Sequence, residues 1–74
     1  MPHTFEDLVT LERTAVDALA AITTADDPDT ARAAAVDAAA AFQAAVTQYA
    51  ADEGESRVEV EMRAKRAVRH GADG

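Results

Sequence analysis

Alanine supplies most of the apolar content of this chain, and this limits the core that the chain can build. The 74 residues include 20 alanines, more than all the valine, isoleucine, leucine, methionine, phenylalanine and tyrosine residues together. Alanine has the highest helix propensity of all residues but brings little side-chain volume to a core. We therefore expect an all-α protein with a thin core, and self-association as its main additional support.

The charge and the cysteine content exclude several classes of protein. No cysteine is present, so neither a disulfide nor a thiolate zinc site can stabilise the fold. No basic stretch precedes an apolar run at the amino terminus, and the long apolar runs are alanine-based and broken by aspartate, so we expect no membrane span and a cytoplasmic location. Residues 1–56 carry a net charge of −9 and residues 57–74 carry +2. Only the carboxy-terminal stretch could attract a polyanion.

Two helix starts can be read from their capping residues. Thr4 and Asp7 form a capping box, which predicts that the first helix begins near Phe5. Asp27 followed by Pro28 predicts the start of a second helix that continues to about Asp52. Because the connection between the two helices is short, we expect an antiparallel helical hairpin.

Three interpretations remain open for residues 52–56. Gly54 can end the second helix in the left-handed conformation, after which Ser56 and Glu59 form a capping box for a shorter third helix of about 57–70 that Gly71 closes. Alternatively, the 3-4 spacing of small and apolar residues continues through Gly54 as one long helix. The alternation from Val58 to Met62 is also compatible with a short strand. The first interpretation predicts a single helical domain over residues 1–71 and a frayed tail over 72–74.

The expected core combines the apolar faces of the first two helices and is completed by a homodimer. Its predicted members are Phe5, Leu8, Val16, Leu19, Ile22, Phe42, Val46 and Tyr49. The apolar residues of the third helix either close this bundle or extend the dimer interface; they are Val58, Val60, Met62 and Val68. The candidate interface residues across these helices are Phe42, Val46, Tyr49, Val60 and Met62.

No set of residues has the pattern of a catalytic, cofactor or metal site, so we expect a protein that is not an enzyme and holds no cofactor. Asp26, Asp27 and Asp29 lack the spacing of a calcium loop and are explained by helix capping. Glu12 falls inside the apolar face of the first helix. Either its carboxylate reaches water at the rim of the core, or it makes a polar contact with an arginine of the third helix.

The segment Tyr49 to Val60 resembles a helix-turn-helix motif. Ala50, Gly54 and Val60 match the small residue, the turn glycine and the branched packing residue of that motif. The resemblance implies a small DNA-binding transcriptional regulator that uses residues 46–69. Its candidate nucleic-acid contacts are Ser56, Arg57, Lys65, Arg66 and Arg69.

Residues 42–70 are also similar to small uncharacterised helical proteins of high-GC actinobacteria, through stretches such as residues 43–50 and 64–70. This resemblance implies a bacterial origin and no particular activity. An acidic chain binds DNA poorly, so a non-enzymatic interaction or assembly module, with a second copy or another protein as partner, is the first expectation. The DNA-binding regulator is the second.

Overall fold

Over the part of the chain that the structure describes, the fold consists of three α-helices. The structure is a computed structural model that describes the backbone of residues 3–73 and the side chains of residues 3–70. Helix α1 spans Phe5–Ala21, α2 spans Pro28–Glu53 and α3 spans Arg57–Asp73, and a 3-10 turn at Ile22–Thr24 extends the end of α1. Residues 3–73 contain no strand. The expected all-α class is therefore confirmed.

The predicted capping residues fix the starts of α1 and α2. The Thr4 side chain accepts a hydrogen bond from the Asp7 amide at 3.2 Å, and the Asp7 carboxylate accepts one from the Thr4 amide at 2.9 Å. Asp27 caps α2 by accepting from the Thr30 amide at 3.3 Å, and Pro28 occupies the first helical position. These side chains satisfy amides that the helix itself leaves without partners.

Gly54 ends α2 and separates it from α3. Its φ of 64° lies in the left-handed region, and the Glu55 amide donates to the Ala50 carbonyl at 2.9 Å, as in a Schellman motif. The interpretations as one long helix and as a short strand were therefore wrong. The Ser56 hydroxyl then accepts from the Glu59 amide at 3.4 Å at the start of α3.

The end of α3 differs from the prediction. The helix continues past Gly71 to Asp73, so Gly71 does not close it, and Ala72 and Asp73 belong to the helix rather than to a tail. A glycine near a helix end lowers helix propensity without forcing termination. The predicted frayed tail also includes Gly74, which lies outside the described residues.

Helix α3 covers one end of the layer formed by α1 and α2. We call this the closed end, and define it by its buried residues Leu8, Phe42, Val46, Val60 and Ala64. Ala45 and Ala50 are buried beside them, and Phe5, Leu11 and Tyr49 pack around the edge. The alanines let the helices approach closely, so that the few large side chains fill the remaining space.

The other end of the layer has no third helix over it, and here the predicted core was wrong in part. Val16 is 45% exposed and Leu19 is 64% exposed, although both lie on the apolar face of α1. Ile22 is only half-buried. The physical reason is the position of α3: Lys65 is its one residue among 57–70 that lines the cavity beside Leu19, and Val68 and Arg69 border a groove beside Val16 without covering it.

None of the helices within residues 3–73 combines the length and the apolar character that crossing a membrane requires.

Candidate interaction surface

The uncovered half of the α1–α2 layer forms an apolar groove. We call it the open end, and define it by Val16, Leu19, Ala35, Val36 and Ala39. A cavity of about 190 Å³ lies between the two helices here, and its walls include Ala15, Val16 and Leu19 from α1 with Ala35, Ala39 and Phe42 from α2. Phe42 belongs to both ends: its ring is buried in the core and also forms part of the floor of this cavity.

Val36 extends the apolar surface on the α2 side. It is 62% exposed, and it lies three residues before Ala39, so the two occupy neighbouring positions on the helix surface. Val36 is not among the predicted core or interface residues. The available signal was a single large apolar side chain within an alanine-rich stretch, Ala31 to Ala41.

An ion pair between α1 and α3 lies at the boundary between the two ends. Glu12 is only 7% exposed, and its carboxylate accepts a hydrogen bond from the Lys65 ammonium at 3.5 Å. The same ammonium lies 5.5 Å from the centre of the Phe42 ring, close enough for a cation–π contact. The expectation that the Glu12 carboxylate reaches water was therefore wrong, and its partner is a lysine rather than an arginine.

A second groove, of about 370 Å³, continues the open end towards α3. It lies between α1 and α3, and its walls include Glu12, Val16, Lys65, Val68 and Arg69. Val16 therefore faces both grooves. Lys65 and Arg69 form a basic edge along this side of the open end.

An acidic loop lies at the opposite boundary of the open end, where α1 turns into α2. It contains Asp26, Asp27 and Asp29, all exposed. The hydrogen bond that the Thr30 hydroxyl donates at 2.7 Å, with further bonds from the Thr30 and Asp29 amides, lowers the pKa of the Asp27 carboxyl. Asp29 pairs with Arg32 at 3.3 Å on the surface.

Three of the residues predicted to contact nucleic acid are engaged within the chain. Ser56 caps α3. Arg57 donates to the Thr47 hydroxyl at 3.0 Å and to the Gln43 side-chain oxygen, and so ties the start of α3 to α2. Lys65 pairs with Glu12. These contacts direct the two cations towards their own chain rather than towards a phosphate backbone.

The other two predicted contacts, Arg66 and Arg69, are exposed and pair with no acidic side chain among residues 3–70. Arg66 lies beside Met62 on the outer side of α3, where Met62 is 53% exposed. The basic stretch of the sequence therefore divides into cations that hold the fold together and two arginines that face solvent.

The predicted interface residues also divide. Phe42, Val46 and Val60 are at most 1% exposed, so they have no area to offer a partner while the fold stays intact. They are core residues of a single chain. Tyr49 is half-buried against Phe5, with the ring centres 6.3 Å apart, and Met62 is exposed.

Two exposed apolar residues, Met62 and Val58, lie on α3, and Val58 is 61% exposed. Among residues 3–70, the other large apolar side chains that are free to contact a partner are Val16 and Leu19, which were predicted in the core, and Val36, which was not predicted at all.

The side chains of residues 3–70 include no group of three or more histidine, cysteine or acidic residues arranged to hold a metal ion. Comparison with known proteins found no family model that matches the chain, no similar curated protein and no similar solved structure.

Proposed function

We propose that this chain is a small, non-enzymatic interaction module that works through its open end. The observation that carries the proposal is the contrast in exposure along one apolar face. Leu8 is fully buried, whereas Leu19, three helical turns further along α1, is 64% exposed. Exposed apolar residues that are contiguous and rimmed by polar groups are typical of protein interfaces.

The open end has the composition of an interface centre. Val16 and Leu19 stand at its rim, alanines form the floor, and the exposed Val36 lies next to Ala35 on α2. A partner helix could therefore approach the floor closely and bury the rim residues. The charged groups, Lys65 and the acidic loop, lie at the edges, where they remain hydrated.

The proposal includes an antiparallel α1–α2 hairpin that is completed as a homodimeric bundle in the cytoplasm of a bacterium. Two contacts support the hairpin: Phe5 at the start of α1 packs on Tyr49 near the end of α2, and Leu19 near the end of α1 shares a cavity with Ala35. The homodimer is supported by the thin core, because a second copy would cover the apolar groove that α3 leaves open.

Self-association tests this function. We expect sedimentation equilibrium between about 1 and 200 µM to show a dimer that forms as the concentration rises. Leu19→Glu should remain a 7.8 kDa monomer with unchanged helicity, because a charge would then lie in the centre of the interface. Asp37→Glu, on the exposed side of α2, is the matched control and should associate like the parent. A parent chain that stays monomeric throughout contradicts the proposal.

The alternative, a DNA-binding regulator that uses residues 46–69, is favoured by one observation, the outward direction of Arg66 and Arg69. Fluorescence anisotropy with mixed-sequence duplex DNA at about 50 and 200 mM salt tests it, since phosphate-driven binding falls steeply over this interval. If the alternative holds, Arg66→Ala and Arg69→Ala should weaken binding and reduce its salt dependence. Absence of binding at both salt concentrations removes it.

A further inference from the structure

The open end carries opposite charges at its two boundaries. The acidic loop with Asp26, Asp27 and Asp29 lies beyond Leu19. Beside Val16 the Lys65 charge is balanced by Glu12, and Arg69 supplies the positive charge of the basic edge that pairs with no acidic side chain among residues 3–70. The chain as a whole has a net charge of −7, so two copies repel each other unless opposite charges meet. The distribution of charge along this surface therefore favours one orientation of a second copy over the other.

Leu19 lies near the midpoint between these boundaries. Glu12, which pairs with Lys65, precedes it by seven residues, or about 10 Å of helix, and Asp26 follows it by the same number of residues. On α2, Ala35 has a similar position between Asp27 and Phe42. A two-fold axis through this midpoint would place the acidic loop of each copy over the basic edge of the other. The contact between acidic loop and basic edge would then form twice, once at each end of the interface.

The chain as a whole exposes more surface, and is more extended, than a compact monomer of its mass. The chain exposes 5009 Å², whereas a folded monomer of this mass exposes about 4,400 Å². The excess, about 600 Å², is three quarters of the ~800 Å² that each partner contributes to an interface of standard size. The radius of gyration of 13.1 Å likewise exceeds the ~11 Å expected for 74 compact residues.

We propose that the partner of the open end is the open end of a second copy, related by a two-fold axis that passes near Leu19, with the two copies antiparallel. Leu19 of each copy contacts Leu19 of the other, and Asp26 of each faces Arg69 of the other. This inference rests on the proposed function, and it specifies the surface and the orientation through which the module assembles.

Crosslinking of single-cysteine variants tests the position of the axis. The parent chain has no cysteine, so a single introduced cysteine can form a disulfide only with its counterpart in another copy. A disulfide needs Cα atoms about 4.4 to 6.8 Å apart, which in a two-fold dimer holds only near the axis. We expect Leu19→Cys to give covalent dimer on mild oxidation. Met62→Cys, equally accessible but on the outer side of α3, should give no more than random collision does.

Charge reversal tests the orientation. Arg69→Glu should weaken dimerisation about fivefold, as should Asp26→Lys, because each places like charges opposite one another. The double variant Asp26→Lys with Arg69→Glu should recover an affinity within about twofold of the parent, because opposite charges again meet. Asp37→Lys makes the same change of charge as Asp26→Lys on the exposed side of α2, away from the open end, and should change the affinity by less than about twofold.

Two results would overturn this arrangement and leave the proposed function standing. One is a dimer that crosslinks through Met62→Cys and not through Leu19→Cys. The other is a dimer whose affinity is lower in the double variant than in either single variant, so that the second charge reversal does not restore it. A chain that remains monomeric at every concentration would instead overturn the inference together with the assembly function on which it rests.

Discussion

Leu8 and Leu19 lie on the same face of the same helix, yet one is fully buried and the other is 64% exposed. The closed end around Leu8 is covered by Val60 and Ala64 of α3, whereas α3 does not extend over Leu19. Both ends contain the alanine-lined contact between α1 and α2. The presence of a third helix is what distinguishes a core from a surface here.

The shorter length of α3 leaves part of α2 uncovered as well. Helix α2 has 26 residues and α3 has 17, which correspond to about 39 Å and about 26 Å of helix. A 17-residue helix that folds back from Gly54 cannot cover the whole of α2. Residues on an apolar helix face are therefore buried only as far along the helix as the neighbouring helix reaches.

The largest effect that tests this comparison comes from replacing each leucine with alanine. Leu8→Ala should lower the free energy of unfolding by about 2 to 5 kcal/mol, because it removes buried methyl groups and leaves a cavity. Leu19→Ala should cost less than about 1 kcal/mol at a protein concentration where the chain is monomeric. Urea unfolding measures both.

The concentration dependence of these losses sharpens the test. The cost of Leu19→Ala should grow as the protein concentration rises into the range where dimers form, because dimerisation stabilises the folded chain. The cost of Leu8→Ala should change little. If Leu8→Ala and Leu19→Ala lowered the free energy of unfolding equally at low protein concentration, the open end would have to be covered within a single chain.

A smaller effect is expected at the residue that directs α3 back over the closed end. Gly54→Ala should cost about 1 to 2 kcal/mol, because an L-residue is strained at a φ of 64°. Nothing lies within 4 Å of the position that an added β-carbon would occupy, so the cost comes from the backbone alone. Gly54→Asn should cost less, since asparagine tolerates this conformation better. Equal losses for Ala and Asn in urea unfolding would contradict this explanation.

The smallest effect concerns the acidic loop beyond the open end. Hydrogen bonds from Thr30 lower the pKa of Asp27 from its ordinary value of 3.8. The resulting stabilisation is present above that ordinary value and is lost as the pH falls through the lowered pKa of the folded state. The Thr30 amide resonance should shift with a midpoint below pH 3.8. Asp27→Asn should remove this titration, and a midpoint at or above 3.8 would argue against the cap.

Much of the local structure could be predicted because short-range side-chain chemistry determines it. Thr4 with Asp7, Asp27 with Pro28, and Gly54 each act within a few residues of the helix end that they fix, and all three boundaries were read correctly. Gly71 was read in the same way and did not end α3. Glycine ends a helix when the following residues make the capping contacts, and the residue type alone does not decide this.

The candidate surface could not be predicted in the same way, because it depends on contacts between distant parts of the chain. Lys65 and Glu12 are 53 residues apart, and no periodicity indicates that they meet. The exposure of Val16 depends equally on where α3 lies. The helical pattern identified the correct face of α1, but it contained no information on which part of that face α3 would cover.

The contacts of Arg57 also have a consequence for the order in which the chain folds. Its partners Thr47 and Gln43 are 10 and 14 residues away, so α2 and α3 can come together by closing a short segment of chain. The contact between Lys65 and Glu12 closes a far longer one and costs more chain entropy. The open end does not depend on that long closure, because Leu19 and Ala35, which share its cavity, are only 16 residues apart across the short α1–α2 connection. We therefore expect this surface to form as soon as α1 and α2 pair, so that partially folded chains can already associate through it.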